Sequence, residues 1–256
     1  MQDRRFQAIL LPGGVLPAAL AYPDLVRALG PDVDARYKEL ELYTGDEPPS
    51  GYGLDTEVQG VRRLADEAGF DRFHLVGYSG GGACALAFCA GHPERLLSLT
   101  LNEPAWGGNE AWSDDERGYW RRLEEMMALP PDEMINAFMQ SGRAQDAEPS
   151  PPDSGPPPPW FAKRPAGLRA MHRAFKAYHL DLQRLRSFDR PVLYVTGGKS
   201  DPIENEPIVA RLGKVFPDFT REIYEERHHF DPPHRAEPER FAVSLKRLWG
   251  RAAASA

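Results

Sequence analysis

The 256 residues include 41 % apolar and 27 % charged side chains, a soluble globular balance in a chain long enough to bury a core without disulfides or a structural metal. The formal charge of −7 argues against a phosphate-backbone partner, because such binding draws on excess Lys and Arg. No apolar run is long enough to span a bilayer, so no nucleic acid and no membrane is expected as a partner, and the expected state is a monomer or homodimer.

The first element, Phe6 to Leu11, is a short apolar run stopped by Pro12-Gly13-Gly14, as expected of a buried strand. Arg4-Arg5 and the apolar stretch ending at Ala19-Leu20-Ala21 resemble a secretory signal. Because Pro12-Gly13-Gly14 breaks that stretch, we read it as structure and the protein as cytoplasmic. Tyr37 to Tyr43 alternates apolar and charged positions and suits a less buried strand. Asp55 or Thr56 can cap a helix carrying Val58, Val61, Leu64 and Ala65, ended by Gly69. Phe73 to Val76 is the next strand, and it runs straight into Gly77-Tyr78-Ser79-Gly80-Gly81. Ala83 to Ala90 is a small-residue helix, closed by Gly91 and Pro93, and Leu96 to Leu101 is another buried strand. The two cysteines, Cys84 and Cys89, fall at i,i+5 on that helix and point to different faces, so they read as small buried side chains rather than a disulfide or metal site.

The alternation of strand and helix then stops. Ser113-Asp114-Asp115-Glu116 has the spacing of a capping box and opens a helix to about Leu129. Pro131 starts another to about Gln140. Eight of the 25 prolines crowd into 149–165, which predicts an extended strap. A helix over Ala166 to Tyr178 follows. Pro191 to Thr196 restores the strand pattern, Ile208 to Phe216 is an amphipathic helix, Phe219 to Tyr224 a last strand and Glu237 to Trp249 a last helix. The expected architecture is an α/β core over 1–106 and 188–256, with a mostly parallel sheet flanked by helices, interrupted by a helical cap insertion over 107–187.

Gly77-x-Ser79-x-Gly81 between a strand and a helix has the form of a nucleophile elbow. The sharp turn strains the corner residue, and the flanking glycines let chain segments pass where a Cβ would not fit. Gly80 offers its amide at the positive end of the helix, where an oxyanion would develop. A serine needs a base and a group to orient that base. Asp201, in Gly198-Lys199-Ser200-Asp201, and His229, in Arg227-His228-His229-Phe230, follow later strands and so share the ligand-binding edge of a parallel sheet. His228 is the main rival for the base, and His234 stands close by. Asp189, Asp231 and Glu103 compete with Asp201, which fits the loop pattern best. His74 and His92 read as structural, while His172 and His179 in the cap could face the pocket, a solvated helix face being the favoured reading. No dinucleotide or phosphate loop appears, the histidine cluster lacks the spacing of a metal site, and no cofactor is expected.

Four segments together resemble the α/β-hydrolase family over nearly the whole chain: Leu11-Pro12-Gly13-Gly14, the serine turn, the Gly-x-x-Asp loop at 198–201, and His229-Phe230 before Glu237-Pro238-Glu239-Arg240-Phe241. The resemblance implies a triad of Ser79, Asp201 and His229, oxyanion amides from Gly80 and from Gly14 or Val15, and a capped pocket. Pro12-Gly13 stands where the family usually has His-Gly, and the family's N-terminal hairpin is expected to be absent. The implied chemistry is serine-esterase hydrolysis of a small, largely apolar substrate. The same triad serves thioesterases, lactonases, C–C hydrolases, cofactor-free haloperoxidases and lyases, and some relatives only bind ligands. Tyr78, Trp106, Trp160 and Phe161 are the expected substrate contacts, with Trp112, Trp120, Met126, Phe138, Met171 and Phe175 also in or near the cap.

Overall fold

A computed structural model describes residues 6–110, 112–141 and 157–254. In chain order the elements are β1 (Phe6–Leu11), α1 (Ala18–Ala21), α2 (Pro23–Leu29), β2 (Val33–Tyr37), α3 (Leu54–Glu67), β3 (Phe73–Tyr78), α4 (Gly80–Gly91) and β4 (Leu96–Asn102). They continue with α5 (Asp114–Met127), α6 (Pro131–Ser141), α7 (Arg164–Ala177), α8 (Leu182–Arg186), β5 (Val192–Gly197), α9 (Pro202–Val215), β6 (Phe219–Tyr224), α10 (Pro233–Ala236) and α11 (Pro238–Ala254). The strands form one sheet in the order β2-β1-β3-β4-β5-β6. Every pairing among the described residues is parallel.

The two-residue period of a strand sends alternate side chains to opposite faces, and β1 shows it. Ile9 and Leu11 join a core made with α3, α4, α8 and α9, whereas Ala8 and Leu10 join one made with α2 and α11. Because both faces are covered, the central strands need no polar side and read as continuous apolar runs. Small residues in α4 let it lie against the sheet, with Ala83 through Cys89 completely buried.

Several boundaries differ from the sequence reading. The second strand is Val33–Tyr37 rather than Tyr37 to Tyr43, and Glu41–Tyr43 is a 3-10 turn. Lys38, Glu41 and Glu57 are the reason: Glu57, 1 % exposed, accepts the amides of Glu41 and Leu42 and pairs with Lys38, bending the chain away from the edge. At the start of α3, Gly53 is the cap residue and Thr56 Oγ1 accepts its amide. The capping box on α5 is present, Ser113 Oγ accepting the Glu116 amide at 3.2 Å and Glu116 Oε2 the Ser113 amide at 2.9 Å. Of the proline-rich strap, residues 149–156 lie outside the described residues. Its end is regular: Pro159–Lys163 form a 3-10 turn and α7 begins at Arg164, Pro165 being tolerated in a first helical turn. Helix α9 starts six residues earlier than expected, capped by Asp201.

Candidate active site

Strand β3 delivers Ser79 into the turn before α4 with φ 51° and ψ −118°, a left-handed backbone that a β-carbon makes costly. Two glycines make the turn possible. A Cβ on Gly77 would lie 2.4 Å from the Gly81 carbonyl oxygen, and one on Gly81 would lie 2.4 Å from that of Pro12. The Gly81 amide donates to the Pro12 carbonyl at 3.0 Å, which fixes the loop after β1 against the elbow. The Ser79 amide donates to the Asn102 carbonyl, and the Ser79 carbonyl accepts from Ala105, so the elbow is also tied to the end of β4.

That second tie puts Glu103 beside the serine. Ser79 and Glu103 (φ 42°) are the two non-glycine residues with positive φ among the described residues. Ser79 Oγ lies 3.0 Å from His229 Nε2, and His229 Nδ1 lies 2.9 Å from Glu103 Oε2. The other carboxylate oxygen, Oε1, accepts the Gly197 amide at the end of β5 at 2.6 Å. Both oxygens are thereby fixed, and the imidazole is held between an acid and a hydroxyl. Ser79, Glu103 and His229 are 6 %, 3 % and 4 % exposed, so solvent screens these contacts little. The Tyr78 hydroxyl donates to the His229 backbone carbonyl and its ring packs on the imidazole, anchoring the loop from below.

Burial acts to lower the His229 pKa, but the hydrogen bond His229 donates to Glu103 and the nearby Glu204 and Glu103 charges outweigh it. The result is a histidine held above its ordinary 6.5. His234 differs. It is 1 % exposed, packs on Tyr22 and Tyr78 and meets the Asn102 side chain at 3.3 Å, and burial pushes it down to about 3. His228 accepts the Phe230 amide at Nδ1 and does not reach the serine. His74 likewise packs in the core, stacked on Trp249 with Nδ1 2.8 Å from Ser98 Oγ.

The expectation for Asp201 is not met by the geometry. Its side chain accepts the Ile203 amide at 2.9 Å as the cap of α9, and it makes no bond to His229. The acid beside His229 is Glu103, the residue just after β4, the strand next to β3.

Gly14 and Gly80 lie together above Ser79. A Cβ on Gly80 would stand 3.5 Å from the Gly14 amide nitrogen, and the Tyr43 hydroxyl donates to the Gly14 carbonyl at 2.6 Å. The Gly81 and Gly82 amides are already taken by the Pro12 and Ser79 carbonyls.

A narrow cavity of about 50 Å³ meets Ser79 and His229, and Gly14 lines it too. Its apolar wall is Ala105, Trp120, Leu123, Met127, Phe138, Leu168, Met171 and Phe175, mostly from α5 and α7. Tyr119, His172 and Glu204 add polar groups. Of the expected substrate contacts, Tyr78, Trp106, Trp160 and Phe161, none lines this cavity. Trp106 is 1 % exposed, donates to Asn109 and stacks on Phe175. Trp160 lies under the Arg164 guanidinium, and Phe161 packs on the Met127, Met134, Ile135 and Leu168 cluster. Nor is His172 a solvated side chain: it is 8 % exposed and faces the cavity. Bulky apolar residue type identifies these aromatics as buried, whereas the face each presents depends on how α5 and α7 cross.

Among the described residues, no helix is long and apolar enough to cross a membrane. A 2-hydroxy-6-oxo-6-phenylhexa-2,4-dienoate hydrolase of Comamonas testosteroni is 30 % identical over 140 residues, 52 % of this chain and 49 % of that protein. The chain thus spans about half the length of the curated relatives it matches. Among solved structures, a thermophilic esterase from Thermogutta terrifontis superposes with TM-score 0.70 at 15 % identity, covering 96 % of this chain and 90 % of that one. A meta-cleavage product hydrolase from Pseudomonas fluorescens gives TM-score 0.65 at 17 % identity, covering 96 % and 91 %. These two likenesses concern the fold. The family model described as Alpha/beta hydrolase family matches residues 8–244, and with that match over nearly the whole length the chain belongs to the alpha/beta hydrolase family.

Proposed function

We propose that the chain is a serine hydrolase that cleaves an ester-like bond of a small, largely apolar substrate through an acyl-enzyme on Ser79. The observation that carries this reading is the unbroken hydrogen-bond chain from Ser79 Oγ through His229 to Glu103. His229 Nε2 takes the hydroxyl proton as Oγ attacks the carbonyl carbon, and Glu103 holds the proton on Nδ1 and balances the imidazolium. The oxyanion is received by the amides of Gly80 and Gly14, a contribution of about 3–4 kcal/mol for each donor. The imidazolium protonates the leaving alkoxide. His229 then deprotonates a water that attacks the acyl carbonyl, and Ser79 Oγ leaves with the proton returned to it.

The apolar wall supports a hydrocarbon-rich substrate. The cap helices over 107–187 supply most of it, and we assign them the choice of substrate. A cytoplasmic location fits the two free, buried cysteines. A second reading, C–C bond hydrolysis, draws on the name of the Comamonas testosteroni relative. A dienoate carries a carboxylate, and among the described lining residues no Arg or Lys stands ready to pair with one, which favours the ester reading.

A fluorophosphonate probe tests the proposal. Labelling is expected on the wild type, absent in Ser79→Ala, strongly slowed in His229→Ala and retained in His228→Ala. Folded wild-type protein that takes no label would overturn it.

A further inference from the structure

Three polar side chains line the Ser79 cavity without belonging to the hydrogen-bonded chain: Tyr119 from α5, His172 from α7 and Glu204 from α9. Both ring nitrogens of His229 are already engaged, by Ser79 and by Glu103, so Glu204 is not needed to orient it. Glu204 is 9 % exposed and lines the cavity together with Tyr119. It occupies the third position of α9, where the helix dipole favours an acid, while burial raises its pKa from the ordinary value. A structural tie between α9 and α5 exists elsewhere, in the Glu116–Arg211 pair at 2.5 Å, both side chains about nine-tenths buried. The His172 ring lies tilted against Trp120 with centroids 5.3 Å apart, and its Nε2 is buried with no hydrogen-bond partner among the described residues.

A buried polar atom without a partner is costly and rare in folded proteins. Here one belongs to a side chain that lines the cavity beside Ser79, and Glu204 lines that cavity too. An imidazole can give or take a hydrogen bond, and a carboxyl takes one or, while it carries its proton, gives one, a combination that suits a hydroxyl or carbonyl. A substrate oxygen placed there would satisfy His172 and would be rewarded over a methylene, because a site built for a hydrogen bond rejects the analogue that lacks it.

We propose that His172 and Glu204 form a polar subsite that selects esters bearing an uncharged oxygen, a carbonyl or hydroxyl, in addition to the scissile group. The proposal rests on the serine-hydrolase reading and names the substrate class of that site.

The test compares kcat/KM for two matched pairs. One is p-nitrophenyl 4-oxopentanoate against p-nitrophenyl pentanoate. The other is 2-oxopropyl butanoate against propyl butanoate. Dividing each variant's oxo-to-alkyl ratio by that of the wild type cancels the intrinsic reactivity of the esters. In at least one pair the ratio falls about tenfold in Glu204→Leu and His172→Leu, and stays within about twofold of wild type in Glu204→Gln, which keeps a hydrogen-bonding side chain of the same size. Circular dichroism checks folding, with Glu204→Met and His172→Phe replacing a leucine variant that does not fold. Ratios unmoved in both pairs, or lost equally in Glu204→Gln, overturn the subsite. A wild type that neither takes the fluorophosphonate nor cleaves any of the four esters fails the serine-hydrolase reading instead.

Discussion

Replacing Glu103 by Gln tests the acid assignment with almost no change of shape. Glu103 Oε1 accepts the Gly197 amide at 2.6 Å, and Oε2 faces His229 Nδ1 at 2.9 Å. A glutamine must turn its NH2 toward one of them. Facing Gly197, it sets donor against donor in a buried site. Facing His229, it forces Nδ1 to act as acceptor and moves the ring proton to Nε2, where Ser79 Oγ needs an acceptor. In a serine triad the wrong tautomer costs about 10⁴ in kcat, equivalent to about 5.5 kcal/mol of barrier. Asp201→Asn, in contrast, exchanges one good helix cap for another, and its rate should stay within about threefold of wild type. The assay is kcat/KM on p-nitrophenyl butanoate, paired with the rate of fluorophosphonate labelling and with Tm. Glu103→Gln within tenfold of wild type, with Asp201→Asn crippled, would refute the reasoning and return the acid to Asp201.

The remaining predictions concern the same architecture. Because His229 must be neutral to accept a proton and its pKa lies above 6.5, activity is lost as pH falls through that raised value. The acid limb of kcat/KM should therefore sit above 6.5, and Glu103→Gln should move it down; a wild-type limb at or below 6.5 contradicts this. Gly77→Ala drives a Cβ to 2.4 Å from the Gly81 carbonyl oxygen and 2.8 Å from the Gly82 Cα, atoms that cannot swing away. We expect a loss of about 3 kcal/mol and a Tm lower by roughly 6–12 °C, whereas Gly91→Ala, whose Cβ meets nothing nearer than Val58 Cγ1 at 4.0 Å, should leave Tm level or raise it. Met171 lines the cavity and crowds Gly80 and Gly14. Met171→Ala should raise the octanoate-to-butanoate ratio of kcat/KM about tenfold at a stability cost of about 2–3 kcal/mol; an unchanged ratio would remove Met171 from the substrate path.

Much of this molecule can be read from its residues. The strands at Phe6, Phe73, Leu96 and Val192 are short apolar runs bounded by Gly and Pro, because a parallel sheet covered on both faces demands that pattern. Strand β2 was harder to place. It lies at the sheet edge with Arg36 and Tyr37 exposed, and the alternation at 37–43 reflects instead the charges gathered on buried Glu57. Ser79 and His229, which the structure brings to 3.0 Å of each other, were legible because the pattern for one needs flanking glycines and that for the other a loop after the last strand. The carboxylate that meets His229 was not, for a physical reason. Asp201 and Glu103 both leave the same edge of the sheet, and the choice depends on lateral strand order, which puts β4 directly beside β3. The signal was still present in Asn102-Glu103-Pro104, an acid at the carboxyl end of a buried strand adjoining the serine. The residues lining the cavity beside Ser79 are hidden from the sequence for a similar reason. Trp106 and Trp160 have the bulk and apolarity of a cavity wall, and only the crossing of α5 and α7 brings Trp120, Met171 and His172 to it instead.

The two cysteines have a use that follows from where α4 places them. Cys84 and Cys89 are fully buried, and burial raises both thiols above their ordinary range, so little of either is the thiolate that reagents attack. Alkylation in the native protein must then wait for α4 to lift from the sheet. The helix that hides these thiols also presents the Gly80 amide, so the slow uptake of a thiol reagent clocks the opening of the Ser79 turn itself. Set against reaction in denaturant, that clock converts to a free energy, and it can be read under conditions where the ester assay is silent.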